Sequence, residues 1–214
     1  MIQIKSFVFN PYQENTYVLY DEKSRDCLIV DPGMDGPAEE RMLQSFIEEE
    51  GLNPVLLLNT HCHIDHVLGN HYVFEQWGLI PQFHKNEVPI LVAVDNYAPQ
   101  MGIRYETSPI PTTFLEEGQN IDFGAHTLKV IFAPGHSPGH VCYFSEAQNF
   151  LLGGDVLFRN SIGRTDLPGG NHEILLRSIE TQLYTLPEET IVYPGHGPHT
   201  TIGFEKKTNP FVRA

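Results

Sequence analysis

No stretch of this chain approaches the roughly twenty consecutive apolar residues that a membrane-spanning helix needs, and its N-terminus, Met1-Ile2-Gln3-Ile4-Lys5, lacks the pattern of a signal peptide. A soluble, cytoplasmic protein with no membrane partner is expected. Cysteine is scarce. Cys27, Cys62 and Cys142 are widely spaced and each stands beside apolar residues, which excludes a disulfide framework and predicts buried thiols. Positive charge is also in short supply: 13 Lys and Arg against 27 Asp and Glu give a formal net charge of −14, with no basic run longer than Lys206-Lys207. Binding along a nucleic-acid backbone needs a basic face, so that class of partner is excluded. No Ser- or Gly-rich linker divides the 214 residues, and 41% hydrophobic content suffices for a well-filled core. One domain over 1–214 is predicted.

The chain does hold an unusual density of metal-competent side chains. Thr60-His61-Cys62-His63-Ile64-Asp65-His66 directly follows the apolar run Val55-Leu56-Leu57-Leu58, so four such side chains arrive as the chain leaves a buried strand. In an extended loop residues of like parity point the same way, which predicts convergence of His61, His63 and Asp65, with His66 reaching the neighbouring volume. Cys62 should face away. Further donors recur at strand ends: His136 after Thr127–Ala133 and Pro134-Gly135, Asp155 after Phe150-Leu151-Leu152 and Gly153-Gly154, and His196 after Thr190–Tyr193 and Pro194-Gly195. The glycine pair marks a place where backbone must approach something closely. Asp31, closing the strand Cys27–Val30, has two readings, as the partner that orients a liganding histidine or as a turn residue.

Around these sites the periodicity alternates between strand and helix. Strands are predicted over 2–9, 15–20, 27–30, 80–83, 120–123, 126–132, 141–145, 148–152 and 190–193. Helices are predicted over 37–51, 66–77, 87–97, 171–185 and 203–207, the fourth capped by Asn171 or a neighbour. Residues 98–113, proline-rich and without period, read as a loop, with exposed linkage the first reading and a wall of a substrate cleft the second. Strand groups and helices in both halves predict an α/β fold of two sheets face to face with helices outside.

Imidazole and carboxylate suit zinc, iron or manganese, and six or seven such donors are too many for one tetrahedral zinc. The full set resembles the metallo-β-lactamase superfamily. That resemblance sharpens the fold to an αββα four-layer sandwich and implies two divalent metal ions, zinc first and iron or manganese as alternatives. It implies His61, His63 and His136 on one ion, Asp65, His66 and His196 on the other, and Asp155 bridging. A bridging hydroxide would then attack a carbonyl, with Asp65 and Asp155 in catalytic roles and no separate Ser or Cys nucleophile required.

Pro134-Gly135-His136-Ser137-Pro138-Gly139-His140 and Tyr193-Pro194-Gly195-His196-Gly197 resemble glyoxalase II-type enzymes, hydrolases of S-lactoylglutathione, and so imply a small-molecule thioester substrate. Gly163-Arg164-Thr165-Asp166 stands where those enzymes carry a glutathione-gripping Gly-Lys-x-Tyr segment. Arg164 and Asp166 are thus candidate substrate-binding residues, or else an ion pair that shapes the loop. Typical members carry a further helical domain, whereas this chain, ending at Ala214, is similar to the short single-domain subgroup. Persulfide dioxygenases share the Gly-Arg-Thr-Asp stretch and hold one iron through residues matching His61, His136 and Asp155, which makes a mononuclear iron oxidoreductase acting on glutathione persulfide the alternative.

Overall fold

Alternation along the strands sorts the apolar side chains into layers. In the computed structural model, which describes residues 1–213, β1 (Ile2–Phe9), β2 (Glu14–Asp21), β3 (Asp26–Val30), β4 (Asn53–Leu58) and β5 (Pro81–Gln82) pair in that order into one sheet. The first two junctions are antiparallel and the last two parallel. The second sheet uses β6 (Asn120–Phe123), β7 (His126–Phe132), β8 (Val141–Ser145), β9 (Phe150–Gly154), β12 (Ile191–Pro194) and β13 (Thr200–Thr201), in the order β13-β12-β9-β8-β7-β6. Between β9 and β12 in sequence, β10 (Leu157–Phe158) and β11 (Ser161–Ile162) form a separate small hairpin.

The helices are α1 (Pro37–Glu49), α2 (Ile64–Val67), α3 (Asn70–Trp77), α4 (Val88–Tyr97), α5 (His172–Ser178) and α6 (Ile202–Thr208). Between the sheets, Leu19, Leu28 and Leu58 meet Leu128, Tyr143 and Leu152. Neighbours one residue away face outward: Val18, Ile29 and Leu57 pack with Leu43 and Ile47 of α1 and Val73 of α3. On the far side Ile131, Cys142 and Leu151 pack with Leu175 of α5 and Ile202 of α6. Three apolar layers between four layers of backbone make the αββα sandwich. The three cysteines are free and buried, and no described helix is long and apolar enough to cross a membrane.

Several elements differ from expectation. The single helix predicted over 66–77 is two helices broken at Gly69, where a Cβ would strike the Met34 side chain at 2.5 Å and the Pro32 carbonyl at 2.9 Å. The break lets the Gly69 N–H donate to that carbonyl. The helix predicted over 171–185 begins as expected, with Asn171 Oδ1 accepting from the Ile174 N–H, but widens to a π-helical turn over Ile179–Leu183. Strands β10, β11 and β13, two residues each, are too short to show a period. Residues 98–113 are not mere linkage: Ile103 and Tyr105 pack against a fourth apolar cluster built on α2 and α4, and Met101 lines the cleft described below.

Candidate metal centre

The metal-competent side chains gather because strands of both sheets end together. Beyond β4 the chain stays extended through His63 and then turns into α2, which carries Asp65 and His66 on its first turn. The loops after β7, β9 and β12 supply His136, Asp155 and His196. Three groups result with donor atoms mutually within 4.8 Å: His61, His63 and His136; Asp65, His66 and His196; and, linking the two from beneath, Asp31, His61 and His66. The alternation expected of His61, His63 and Asp65 therefore stops at His63, because the helix begins there and swings Asp65 to the second group. Asp155 touches the first two groups. Its Oδ2 lies 3.6 Å from His136 Nε2 and 3.5 Å from His196 Nε2, and its Oδ1 lies 3.5 Å from His66 Nε2. Gly195 permits this approach, since a Cβ there would sit 2.2 Å from Asp155 Oδ1.

Outer partners fix which nitrogen of each ring faces inward. Thr60 Oγ1 donates to Asp31 Oδ2 at 2.6 Å, so it is free to accept from His61 Nδ1 at 3.1 Å. His66 Nδ1 donates to the same Asp31 oxygen at 3.1 Å, His136 Nδ1 to the Arg164 carbonyl at 2.8 Å, and His196 Nδ1 to the Tyr12 carbonyl at 3.1 Å. These orientations follow from the hydrogen-bond network, and in all four rings they turn Nε2 rather than Nδ1 into the site. His63 is the exception: its Nδ1 is 2.9 Å from His136 Nε2.

The residues fit metal ions. Nε2 of His66 and Oδ1 of Asp155 are buried without a hydrogen-bond partner, an arrangement that costs free energy unless a cation receives them. Nε2 of His61 and Nε2 of His136, both acceptors, face each other at 3.2 Å. Burial, with the neighbouring imidazoles, pushes His61 well below its ordinary range and His63 down to about 3, so this group presents neutral rings, the form that binds metal. In the second group burial opposes charge, but Asp65 and Asp155 hold His66 well above its ordinary value, and His196 is raised in the same way.

Asp31 belongs to the support of the site. Its carboxylate accepts from the Thr60 N–H at 2.7 Å as well as from the Thr60 hydroxyl and His66, so the orienting role is the one the structure provides. His140 also positions: its Nε2 accepts from the Asp155 N–H at 3.0 Å. A Cβ on Gly154, where φ is +47°, would lie 2.5 Å from that nitrogen, which is the close approach the glycine pair foretold. Cys62 is buried among the apolar residues of α2 and α4 and takes no part in either donor group.

Two buried carboxylates carry no signal in the sequence. Glu87 accepts from the Cys62 N–H at 2.8 Å, from the Gly139 N–H at 2.6 Å and from the Ser137 hydroxyl, tying the loop of His61 and His63 to the loop of His136. Glu14 is fully buried, accepts from Thr16 Oγ1 at 2.8 Å, and lies 3.9 Å from His66 Nδ1. Ser137 is not a nucleophile, although Gly135-His136-Ser137-Pro138-Gly139 has the Gly-x-Ser-x-Gly spacing of a nucleophile elbow. Its hydroxyl is buried and committed to Glu87.

Above the donors opens a cleft of about 690 Å³. Arg164 lines its rim, but the guanidinium is spent on Asp166, through Nε and Nη2 at 2.7 Å each. Both side chains are mostly exposed, so the loop-shaping ion pair is present.

A family model described as the metallo-beta-lactamase superfamily matches residues 9–196. The probable metallo-hydrolase YqgX of Bacillus subtilis (strain 168) is 40% identical over 203 residues, covering 94% of this chain and 93% of the relative. The hydroxyacylglutathione hydrolase GloC of Haemophilus influenzae is 35% identical over 209 residues, covering 95% and 94%. Among solved structures, BLEG-1 B3 metallo-beta-lactamase superposes with a TM-score of 0.89 at 37% identity, covering 99% of this chain and 100% of its own. TTHA1623 in a di-iron-bound form superposes with a TM-score of 0.86 at 38% identity, covering 97% and 100%.

Proposed function

The chain belongs to the metallo-beta-lactamase superfamily, and we propose that it is a binuclear metal-dependent hydrolase of thioesters, of the kind that acts on S-lactoylglutathione. The observation that carries this reading is Asp155, one carboxylate within 3.6 Å of a histidine in each donor group. We assign His61, His63 and His136 to one ion, Asp65, His66 and His196 to the other, and Asp155 to both. Zinc is the first choice and iron the second, the latter in keeping with the di-iron form of TTHA1623.

Bound there, two divalent ions would supply Lewis-acid polarisation of the substrate carbonyl and a water acidic enough to attack it. The protein does the rest. Among the described residues no serine, threonine, cysteine or lysine lines the cleft, so water is the available nucleophile. Asp31, Thr60 and the carbonyls of Tyr12 and Arg164 hold four imidazoles in one orientation. Asp65, 3.1 Å from His196 Nε2, adds a negative charge to the second donor group. A thiol of ordinary pKa, about 8.5, leaves as thiolate without a proton donor, which suits a site whose residues bind and orient. GloC, alike over 94% of its own length, is named for hydrolysis of a glutathione thioester.

His61, His136 and Asp155 also lie together as two histidines and one carboxylate, with His136 Nε2 at 3.2 Å from His61 and 3.6 Å from Asp155. That set would serve a mononuclear iron dioxygenase. Metal analysis of protein purified without added metal, alongside turnover of S-lactoylglutathione, separates the two. About two ions per chain with hydrolysis supports the proposal. Saturation at one ion, with occupancy intact in His196→Ala and oxygen consumed on glutathione persulfide, would replace it.

A further inference from the structure

Helix α4 is apolar on more of its surface than the core requires. Leu91, Val94 and Ala98, spaced three and four residues apart, are buried with Cys62, Ile64 and Phe83. A helix that merely covers a core turns polar residues outward. Here a second stripe with the same spacing, Ile90, Ala93 and Tyr97, is only half-buried and lines the cleft beside His63 and Asp65. Met101, 52% exposed, extends the stripe beyond the helix end. Phe158, Leu167 and Pro168 add further apolar lining. The one side-chain polar atom on the stripe is the Tyr97 hydroxyl.

Charge narrows what can lie there. Among the described residues Arg164 is the sole Lys or Arg lining the cleft, and Asp166 already holds its guanidinium. The other charged lining residues, Asp65 and Asp155, belong to the donor groups. A short hydroxylated acyl group such as lactoyl is too small to cover the apolar stripe of α4.

Resting on the thioester-hydrolase reading, we propose that the preferred substrates carry an extended apolar acyl chain, laid along Ile90, Ala93 and Tyr97 toward Met101, with the scissile carbonyl over Asp155 and the thiol portion leaving past Arg164. The wall then sets specificity by chain length. Full burial of a methylene is worth up to about fourfold in affinity, and a partly open groove yields less.

The test is kcat/KM of the metal-loaded enzyme for glutathione thioesters of one thiol and rising acyl length: acetyl, lactoyl, butyryl, hexanoyl and octanoyl. The expected result is a rise of about two- to fourfold per methylene until the stripe is covered. Ala93→Asp should lower the octanoyl-to-acetyl ratio at least about tenfold. Val92→Asp, on the exposed side of the same helix, should leave that ratio unchanged. Calorimetric binding of octanoate against acetate gives a readout without turnover: octanoate should bind more tightly to the parent, and Ala93→Asp or the milder Ile90→Thr should shrink the difference. Hydrolysis of acetyl and lactoyl thioesters with no gain at longer chains would overturn the acyl groove and leave the hydrolase standing. Failure to hydrolyse any thioester, with octanoate still favoured over acetate, would remove the hydrolase reading and keep the groove.

Discussion

The floor and the walls of the cleft are held by different physics. On the floor four of the seven donor side chains are anchored by a second polar group, with Asp31 and Thr60 under His61 and His66 and carbonyls behind His136 and His196, while His140 accepts from the backbone N–H of Asp155. On the walls Ile90, Ala93, Tyr97, Phe158 and Leu167 meet the cleft through apolar surface, and the one charged pair, Arg164 with Asp166, is open to water. A hydrogen-bonded lattice fixes atoms to fractions of an ångström and fails sharply when one member goes. An apolar wall tolerates exchange with graded cost. Substitutions on the floor should therefore abolish or misplace chemistry, and those on the walls should retune which substrate is taken.

The largest effect is expected at Asp155. Its replacement by alanine takes a donor from both groups and leaves His66, His136 and His196 facing one another without their carboxylate. Turnover should fall by at least about a thousandfold, equivalent to several kcal/mol of transition-state stabilisation, and the thermal midpoint of metal-loaded protein should drop as binding free energy is lost. Near-parental turnover with full metal content would show that the two groups do not share this carboxylate.

Glu87 tests whether the floor extends below the donors. In Glu87→Ala the Cys62 and Gly139 N–H groups and the Ser137 hydroxyl lose their common acceptor in a buried place. Unpaired buried donors cost about 1–3 kcal/mol each, and partial relaxation leaves an expected loss of about 3 kcal/mol, read as a lower urea midpoint at unchanged m. Glu87→Gln should fall between, because one oxygen can still serve Ser137 and Gly139 while the amide NH2 meets the Cys62 N–H. A change under about 0.5 kcal/mol in the alanine variant would mean the two loops hold themselves.

Asp31→Asn probes tautomer control with little change of shape. Asp31 has φ of +50°, a conformation asparagine tolerates. An amide nitrogen in place of Oδ2 would ask His66 Nδ1 to accept, moving the ring proton to Nε2 and closing that donor. Metal affinity at the Asp65, His66, His196 group should weaken about ten- to hundredfold, measured by competition with a chelator. Unchanged affinity for both ions would assign Asp31 to loop structure only.

The same division explains what could be read from the sequence. Donors on the floor are chemically rare residue types crowded at strand ends, so His61 to His66, His136, Asp155 and His196 stand out in a linear text, and strand groups with helices in both halves foretell two packed sheets. Glu87 and Glu14 were invisible because an isolated glutamate near a helix start or in a strand reads as surface, and only tertiary packing buries it. Ile90, Ala93 and Tyr97 were hidden for the opposite reason. Apolar residues at helical spacing read as core, and nothing local reveals that α4 has a second apolar face turned to open space. Parity alone groups Asp65 with His61 and His63, and the start of α2 at Ile64 breaks that parity, whereas the family resemblance already grouped Asp65 with His66 and His196, as the structure does.

The smallest effect is expected at the rim, where the sign carries more information than the size. A guanidinium free to meet a substrate carboxylate would contribute about 1.5–3 kcal/mol. Arg164 is not free: Asp166 occupies two of its nitrogens at 2.7 Å, and an incoming carboxylate gains only the difference between two similar exposed pairs, about 0–1 kcal/mol. Arg164→Ala should therefore raise KM for S-lactoylglutathione by less than about fivefold, with kcat retained because the backbone carbonyl that orients His136 is still in place. Asp166→Ala should do the reverse, freeing the guanidinium and lowering KM for thioesters that carry carboxylates while leaving small neutral thioesters unaffected. Opposite shifts in the two variants would make Arg164 a receptor for the charged end of the substrate, held in check by its neighbour. If both variants instead slow charged and neutral thioesters alike, the pair acts by shaping the 163–166 loop, and the glutathione portion of the substrate must be gripped elsewhere or not at all.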